Sequence, residues 1–427
     1  MFLILQFAVP SALRLQAMPA VGYPAALWAL LCFLWWSWAR FRVGYVSGDP
    51  GNPVKLAVFA WLLAVLASYV WAMRRPLPPL EASQADIGIL RVLVILGVIL
   101  VAADGVTSWH RLQILARRLV IAGGLLAALG LAQFVTGRSL TDWITLPGFI
   151  RSDVYSTLGS RGGFTRPTGT ALHPLEFAGA LTVVFPVALT LALYDRQRSS
   201  LHRWLPASAI CVVLVLSGSR SGYLGLAVGT VILAFTWTNA VRSRMLAAGV
   251  LLAGSVFVLV PGMMGTIRGM FLGLDTDPSV ASRTGSFAIA QEFFESSPLI
   301  GRGFGTFLTS YRILDNQMLL MLVELGIVGV ATFLAIALSA FIGPLLARRT
   351  AWTELDRQLG VALAASTLAG STLMFYFDAL SFPIAFGTWC LVIGIAAAYW
   401  RLAANPNALR QPRPSAESSV RSGVEST

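Results

Sequence analysis

The sequence predicts an all-α, polytopic membrane protein with about twelve transmembrane helices and two long extracytoplasmic loops. Three observations lead to this fold class. Of the 427 residues, 56% are hydrophobic and only 12% are charged, whereas roughly 25% are charged in a soluble protein. Apolar stretches recur that are long enough to cross a bilayer, which takes roughly 20 residues. Basic residues concentrate in alternate connecting segments, which is typical of cytoplasmic loops.

The predicted spans follow one another with short polar connections. They cover residues 2–17, 20–38, 54–73, 87–104, 112–135, 171–194, 204–218, 221–238, 244–262, 317–346, 357–377 and 381–400. The first is short and contains Pro10, so a partly re-entrant path is an alternative to a full crossing. No basic segment precedes it and another span follows at once, so we do not expect a cleaved signal peptide.

Six basic segments set the predicted topology. They contain Arg40 and Arg42; Arg111, Arg117 and Arg118; Arg196, Arg198 and Arg203; Arg242 and Arg244; Arg348 and Arg349; and Arg401, Arg410 and Arg413. With twelve spans all six lie on one side, which predicts cytoplasmic termini. Residues 1–404 then form one transmembrane domain, with outer loops at about 136–170 and 263–316. Residues 405–427, rich in Ser, Pro and Arg, form a predicted disordered cytoplasmic tail.

The charged and metal-binding residue types exclude several functional classes. The net charge of +12 comes almost entirely from arginine, with Lys55 as the only lysine. In a membrane protein this charge belongs first to cytoplasmic loops, so we expect no nucleic-acid partner. Three cysteines lie in apolar stretches, and three histidines are dispersed. We therefore expect no disulfide framework, metal site or other cofactor.

Arginines also occur on the predicted outer side, where the topology rule expects few. They are Arg151, Arg161, Arg166, Arg220, Arg268, Arg283, Arg302 and Arg312. A guanidinium group suits bidentate recognition of phosphate, so a pyrophosphate-linked lipid of the outer leaflet is a candidate ligand. The alternative is that these arginines pair with lipid headgroups or with nearby aspartates.

Arg220 lies in the Ser217–Gly222 turn between two apolar spans, where a charged side chain is costly without a role. Two roles remain open, which are ligand binding and capping of the preceding helix C-terminus. Arg166 precedes the span that begins near His173. Arg166 is a second candidate phosphate ligand, and His173 is either a titrating group or a satisfied interface residue.

The second outer loop ends in an ordered pattern. Residues 283–296 predict an interfacial helix that ends before Pro298, and Gly301, Gly303 and Gly305 predict a tight loop containing Arg302. Asp315 and Asn316 precede the next span, and Asp315 is either a helix N-cap or a general base. Glu324 lies deeper in that span, where it is either catalytic or paired with an arginine such as Arg220 or Arg283.

The ordered set of motifs resembles the O-antigen ligase and polysaccharide polymerase superfamily of bacterial inner-membrane proteins. It comprises Arg-x-x-Gly from Arg166, Ser-Gly-Ser-Arg-Ser-Gly from Ser217, Ser-Arg at Arg283, Pro-Leu-x-Gly-x-Gly-x-Gly from Pro298, Asn-Gln-x-x-Leu from Asn316 and Glu-Leu-Gly-Ile-Val-Gly from Glu324. The similarity covers about residues 160–340. It implies a GT-C-like, metal-independent glycosyltransferase that uses undecaprenyl- or other polyprenyl-pyrophosphate-linked glycans on the outer membrane face.

By this resemblance, Arg220 and Arg283 match the arginines thought to hold the pyrophosphate, and the acceptor is a growing polysaccharide or a lipid core. One position departs from the family, because ligases typically carry His-Asn where this chain has Asp315-Asn316. A carboxylate can also activate a sugar hydroxyl, and it resembles the essential Asp of related peptidoglycan glycosyltransferases. This departure favours a polymerase, or a ligase with another acceptor.

Two other classes remain as alternatives. A transporter or flippase of lipid-linked sugars predicts charged residues within several spans and paired helix breaks near the midplane. The polar residues here concentrate at the outer face instead. A non-catalytic scaffold does not explain the ordered motifs of the outer loops.

Overall fold

A computed structural model describes residues 1–18, 20–43, 51–152, 158–272 and 278–404, with residues 278–284 described through their backbone. Within these residues the chain forms fourteen α-helices and four short strands. The helices are α1 (Phe2–Ala8), α2 (Pro24–Val43), α3 (Pro53–Met73), α4 (Pro79–Gly105), α5 (Trp109–Thr136), α6 (Pro174–Tyr194), α7 (Ser200–Leu216), α8 (Arg220–Ala234), α9 (Asn239–Leu259), α10 (Met263–Leu272), α11 (Pro278–Ser296), α12 (Gln317–Ala347), α13 (Glu354–Leu373) and α14 (Pro383–Ala404). The strands are β1 (Leu13–Leu15), β2 (Phe149–Arg151), β3 (Ser160–Arg161) and β4 (Phe164–Thr165).

The all-helical, multi-span prediction is confirmed at this level. Each predicted span after the first coincides with one helix. Among the described residues, seven helices are long and apolar enough to cross a membrane by themselves, and they are α3, α4, α5, α6, α9, α12 and α14. The helices α7 and α8 are apolar but shorter. That the other helices also cross the membrane stays a prediction.

The predicted helical span over residues 2–17 is wrong. The helix α1 ends at Ala8, and its seven residues extend only about 10 Å. Pro10 has no backbone N–H to continue a helix. The chain then forms β1, which pairs antiparallel with β2 so that Leu13 faces Arg151. The N-terminal segment is thus attached to the first long loop, closer to the re-entrant alternative than to a crossing.

The interior is formed around α6 and α14, which are almost fully enclosed, whereas α9 is exposed along most of its length. Small residues allow close approach between helices. The Phe177 ring of α6 packs directly over Gly130 of α5, and Thr182 of α6 packs over Gly225 of α8. At one end of the bundle, Arg117 Nε bonds Asp195 Oδ2 at 2.7 Å, and Arg401 donates to the carbonyl of Val106 at 2.7 Å. Helix ends that carry the arginine-rich segments therefore meet there.

The two long loops contain local structure of their own. In the first, β3 and β4 pair as a hairpin, with Gly162 and Gly163 at positive φ in its turn. In the second, the predicted helix over 283–296 is present but begins earlier, at Pro278. Proline is favoured in the first turn of a helix because no intrahelical N–H bond is lost there.

The helix α12 is broken at Gly326, whose φ of 64° and ψ of −167° are not helical. The loop after α11 docks into this break. The backbone N–H groups of Arg302 and Gly303 donate to the carbonyls of Val323 and Glu324 at 3.1 and 2.9 Å. In return, Ile327 N–H donates to the carbonyl of Pro298 at 2.9 Å. A Cβ on Gly326 would collide with the Leu299 carbonyl, and one on Gly301 with the Glu324 carbonyl.

Replacing Gly326 should therefore destabilise the fold. Gly326→Ala combines a left-handed backbone conformation with a backbone collision, which should cost about 2 kcal/mol or more. We expect a lower thermal unfolding midpoint in detergent. The matched control is Gly249→Ala in α9, because an added Cβ there meets no atom within 4 Å and alanine favours helix. Equal midpoints for the two variants would contradict the assigned role of the break.

Candidate functional site

The turn between α7 and α8 places Arg220 at the first position of a helix. Gly218 has a φ of 59°, and Ser219 caps α8 by accepting the Gly222 N–H at 3.3 Å. Arg220 is half-buried. Because a helix N-terminus carries partial positive charge, the guanidinium and the helix end both favour an anion at this turn.

Two further arginines reach the same turn from the first long loop. Arg161 Nη1 donates to the carbonyl of Gly218 at 3.1 Å, and Arg166 Nε donates to the carbonyl of Ser217 at 3.4 Å. The carbonyl groups that end α7 are thus bonded by Arg161 and Arg166. Arg166 and Arg161 therefore contact the turn that leads into Arg220, and Arg161 is a residue that the motif comparison did not select.

His173 lies beside this arginine group. Burial, reinforced by the positive charge of Arg166, lowers the pKa of His173 to about 4. Burial, reinforced by Arg161, lowers the pKa of Arg166 to about 10. His173 Nδ1 accepts the Leu175 N–H at 3.1 Å, which assigns the proton of the neutral ring to Nε2. His173 can therefore donate a hydrogen bond through Nε2, which is poorly suited to a general base.

Asp315 and Asn316 have different roles at the start of α12. Asn316 is the N-cap, and its side chain accepts the Leu319 N–H at 3.1 Å. The alternative in which Asp315 caps the helix is therefore wrong, because the residue after it does so. Asp315 is half-buried and its carboxylate remains available for chemistry.

A second carboxyl group, Asp378, lies near Asp315 in the turn between α13 and α14. Burial raises the pKa of Asp378, and the negative charge of Asp315 raises it further. Ser381 Oγ donates to one carboxyl oxygen, whereas Oδ1 is buried and has no partner among the described residues. Two carboxyl groups thus lie near each other at this end of the bundle, and a carboxylate can act as a proton acceptor. The sequence signal for Asp378 was a lone acidic residue between two apolar spans.

Buried polar contacts join the carboxyl side of this region to the histidine side. Glu176 at the start of α6 accepts the Ile384 N–H and the Leu172 N–H, both at 2.6 Å. Gln317 N–H donates to the carbonyl of Met374 at 2.8 Å, and its side chain accepts the Leu380 N–H at 2.9 Å. The His173 ring packs against Phe382 with centroids 5.8 Å apart. Arginines, His173 and the two aspartates thus share one end of the bundle.

The predicted site residues of the glycine loop are bonded to the break in α12. Glu324 is almost fully buried and accepts the Phe307 N–H at 3.2 Å. Among the described residues, no arginine forms a hydrogen bond or a direct ion pair with Glu324. The loop of Gly301, Gly303 and Gly305 fills the break in α12 described above. These residues therefore hold the loop in place, and no described contact joins them to Arg220.

Arg302 belongs to the same structural region. Its Nη2 lies 3.4 Å from Glu81 Oε1 in α4, and its guanidinium packs over the Phe293 ring at 4.4 Å. Glu81 also accepts the Tyr311 hydroxyl at 2.5 Å. These contacts hold Arg302 beside Glu81, and its predicted role in phosphate binding stays a prediction. The side chain of Arg283 lies outside the described residues, so its predicted role stays a prediction.

No group of three or more His, Cys, Asp or Glu side chains in the described ranges is arranged to hold a metal ion. The site offers instead guanidinium groups, a helix N-terminus and carboxylates. These groups are suited to binding an anionic leaving group and removing a proton.

The buried His173 predicts a specific pH dependence of stability. Its folded pKa of about 4 lies below the unfolded value of about 6.5. The folded state therefore binds fewer protons, and stability present above pH 6.5 is lost as pH falls towards 4. His173→Asn keeps a capping acceptor but cannot titrate. Between pH 7.5 and 5, the wild type should lose about 2 kcal/mol more unfolding free energy than the variant. If thermal unfolding scans show that the wild type and His173→Asn lose the same unfolding free energy, the buried environment assigned to His173 is wrong.

Comparison with known proteins identifies one family model that matches part of the chain. The family model described as O-antigen ligase matches residues 205–334. This segment contains Arg220, Asp315, Glu324 and the glycine loop, whereas Arg166 and Asp378 lie outside it. No curated protein matches the chain. Residues 205–334 are therefore similar to the O-antigen ligase domain, within a chain whose described part contains seven helices long and apolar enough to cross a membrane.

Proposed function

We propose that the chain transfers a glycan from a polyprenyl-pyrophosphate carrier, such as undecaprenyl pyrophosphate, to an acceptor hydroxyl. The acceptor is a growing polysaccharide, or another glycan or lipid. One observation carries the proposal, namely the group of Arg161, Arg166 and Arg220 at the same bundle end as the carboxyls of Asp315 and Asp378. The O-antigen ligase domain supports the same reaction class.

The proposed membrane is the bacterial cytoplasmic membrane, with this site at its outer face. Arginine-rich helix ends lie at the opposite end of the bundle, and such segments favour the cytoplasm. The segment after α14 is then cytoplasmic. The prediction of a cytoplasmic N-terminus counted residues 2–17 as a first transmembrane span. Because α1 is too short to cross a membrane, that reason for the prediction no longer holds.

The arginines act on the donor. As the bond between the anomeric carbon and the pyrophosphate oxygen breaks, the leaving group takes the bonding electrons and gains negative charge. Arg161, Arg166 and Arg220 stabilise that charge together with the N-terminus of α8, and Arg283 is a fourth predicted ligand. Arginines already held in place need little reorganisation during the reaction. In this mechanism no metal ion is needed.

The carboxyl groups act on the acceptor. Asp315, with Asp378 beside it, accepts the proton of the acceptor hydroxyl while the hydroxyl oxygen attacks the anomeric carbon. His173 Nε2–H donates to an oxygen of the donor. Attack opposite to the departing pyrophosphate inverts the anomeric configuration. An Asp where ligases typically carry His favours a polymerase or a ligase with another acceptor.

The arginine group can be tested in proteoliposomes with a lipid-linked glycan donor. Arg220→Gln and Arg161→Gln should each lower kcat/KM by about 100-fold, as for loss of one donor to a developing oxyanion. Release of polyprenyl pyrophosphate and growth of the glycan product are measured together.

The matched control is Arg138→Gln, which removes an exposed arginine from the first long loop and should leave the rate close to wild type. Equal rates in all three variants would contradict the proposal that this arginine group takes part in glycan transfer. Movement of the donor across the bilayer without release of pyrophosphate would favour the flippase alternative.

A further inference from the structure

Arg91 is a charged residue inside the apolar helix α4. It lies about 18 Å along the helix axis from Pro79, at a rise of roughly 1.5 Å per residue, and its side chain is half-buried. An arginine at membrane depth costs about 2.5 kcal/mol or more. Such a residue requires a partner or a function.

The Arg91 guanidinium makes neither a hydrogen bond nor an ion pair with any residue in the described part of the chain. It lines a cavity of about 30 Å³ together with Tyr23, Leu380 and Pro383, which is enough for one water molecule. Arg91 therefore faces the turn between α13 and α14 rather than bulk lipid alone.

The same turn contains Asp378, whose Oδ1 atom is buried without a partner. Arg91 and Asp378 lie within electrostatic range of each other. Neither group has a direct ion-pair partner within the described ranges, and the two charges are of opposite sign. A carboxylate in this position is stabilised by the nearby guanidinium even when a water molecule separates the two.

The charged groups around Asp378 come from several elements. Asp315 lies near it from the start of α12, and Ser381 bonds it within its own turn. Glu324 lies near both Asp378 and Arg91. Arg14 in β1 and Tyr23 before α2 lie near Arg91. Among these groups, Arg91 is the basic residue that acts on Asp378.

We propose that Arg91 is a positioning residue, which stabilises the ionised form of the Asp378 carboxyl beside Asp315, where the proton of the acceptor hydroxyl is taken up. This inference rests on the proposed function for its catalytic consequence. The electrostatic part can be measured without any turnover.

The first readout is an infrared pH titration of the purified protein, in which the band lost in Asp378→Asn identifies the Asp378 carboxyl. Removing the positive charge in Arg91→Gln should move its midpoint to higher pH by on the order of one unit. Arg91→Lys keeps the charge and should restore most of the shift. If Arg91→Gln folds poorly, the midpoint measured in Arg91→Lys still tests the proposal. The control Arg138→Gln should not move the midpoint.

The second readout is the pH profile of glycan transfer. In Arg91→Gln the acid limb of kcat/KM should move to higher pH, whereas a merely structural role would lower the rate equally at every pH. An unmoved infrared midpoint overturns the inference. A wild type that titrates as expected but transfers no glycan contradicts the proposed function instead.

Discussion

The structure depends on one constraint, which is that irregular backbone at membrane depth must find hydrogen-bond partners within the protein. Each break is matched by a specific group. The break in α12 is filled by the loop from Pro298 to Thr306. Glu176 satisfies the N–H groups before α6 and within the first turn of α14. Gln133 satisfies the backbone around Gly169 through its amide.

This constraint divides the polar residues into two sets. One set satisfies backbone and side-chain groups of the fold, and the other is proposed to bind substrate and transfer a proton. Glu324 accepts a backbone N–H of the loop, and Arg302 forms an ion pair with Glu81, so both polar side chains have partners inside the fold. Arg161 and Arg166 use part of their donors to satisfy the end of α7. A guanidinium has five donors, so one arginine side chain can bond a backbone carbonyl and an anion together. The proposed function assigns both roles to these side chains.

Hydropathy was sufficient to predict most helices, because a span needs little beyond length and apolar composition. It failed at residues 2–17, where Pro10 and the pairing of β1 with β2 override the apolar pattern. Arg220 and Asp315 were accessible from local motifs. Asp378 and Arg91 were not, because their significance arises from contacts between helices distant in sequence. The surroundings of Glu324 were not accessible for the same reason, since its hydrogen bonds come from backbone groups of a loop, and its role in catalysis stays a prediction.

The central claim is direct displacement of polyprenyl pyrophosphate by an acceptor hydroxyl. The most direct measurement is the anomeric configuration of the new glycosidic bond, determined by NMR on product made by the purified protein from a defined lipid-linked donor. Direct displacement predicts inversion, with one polyprenyl pyrophosphate released for each glycosidic bond formed. Retention of configuration would require a covalent glycosyl intermediate or another route, and would contradict the mechanism assigned to these arginines and aspartates.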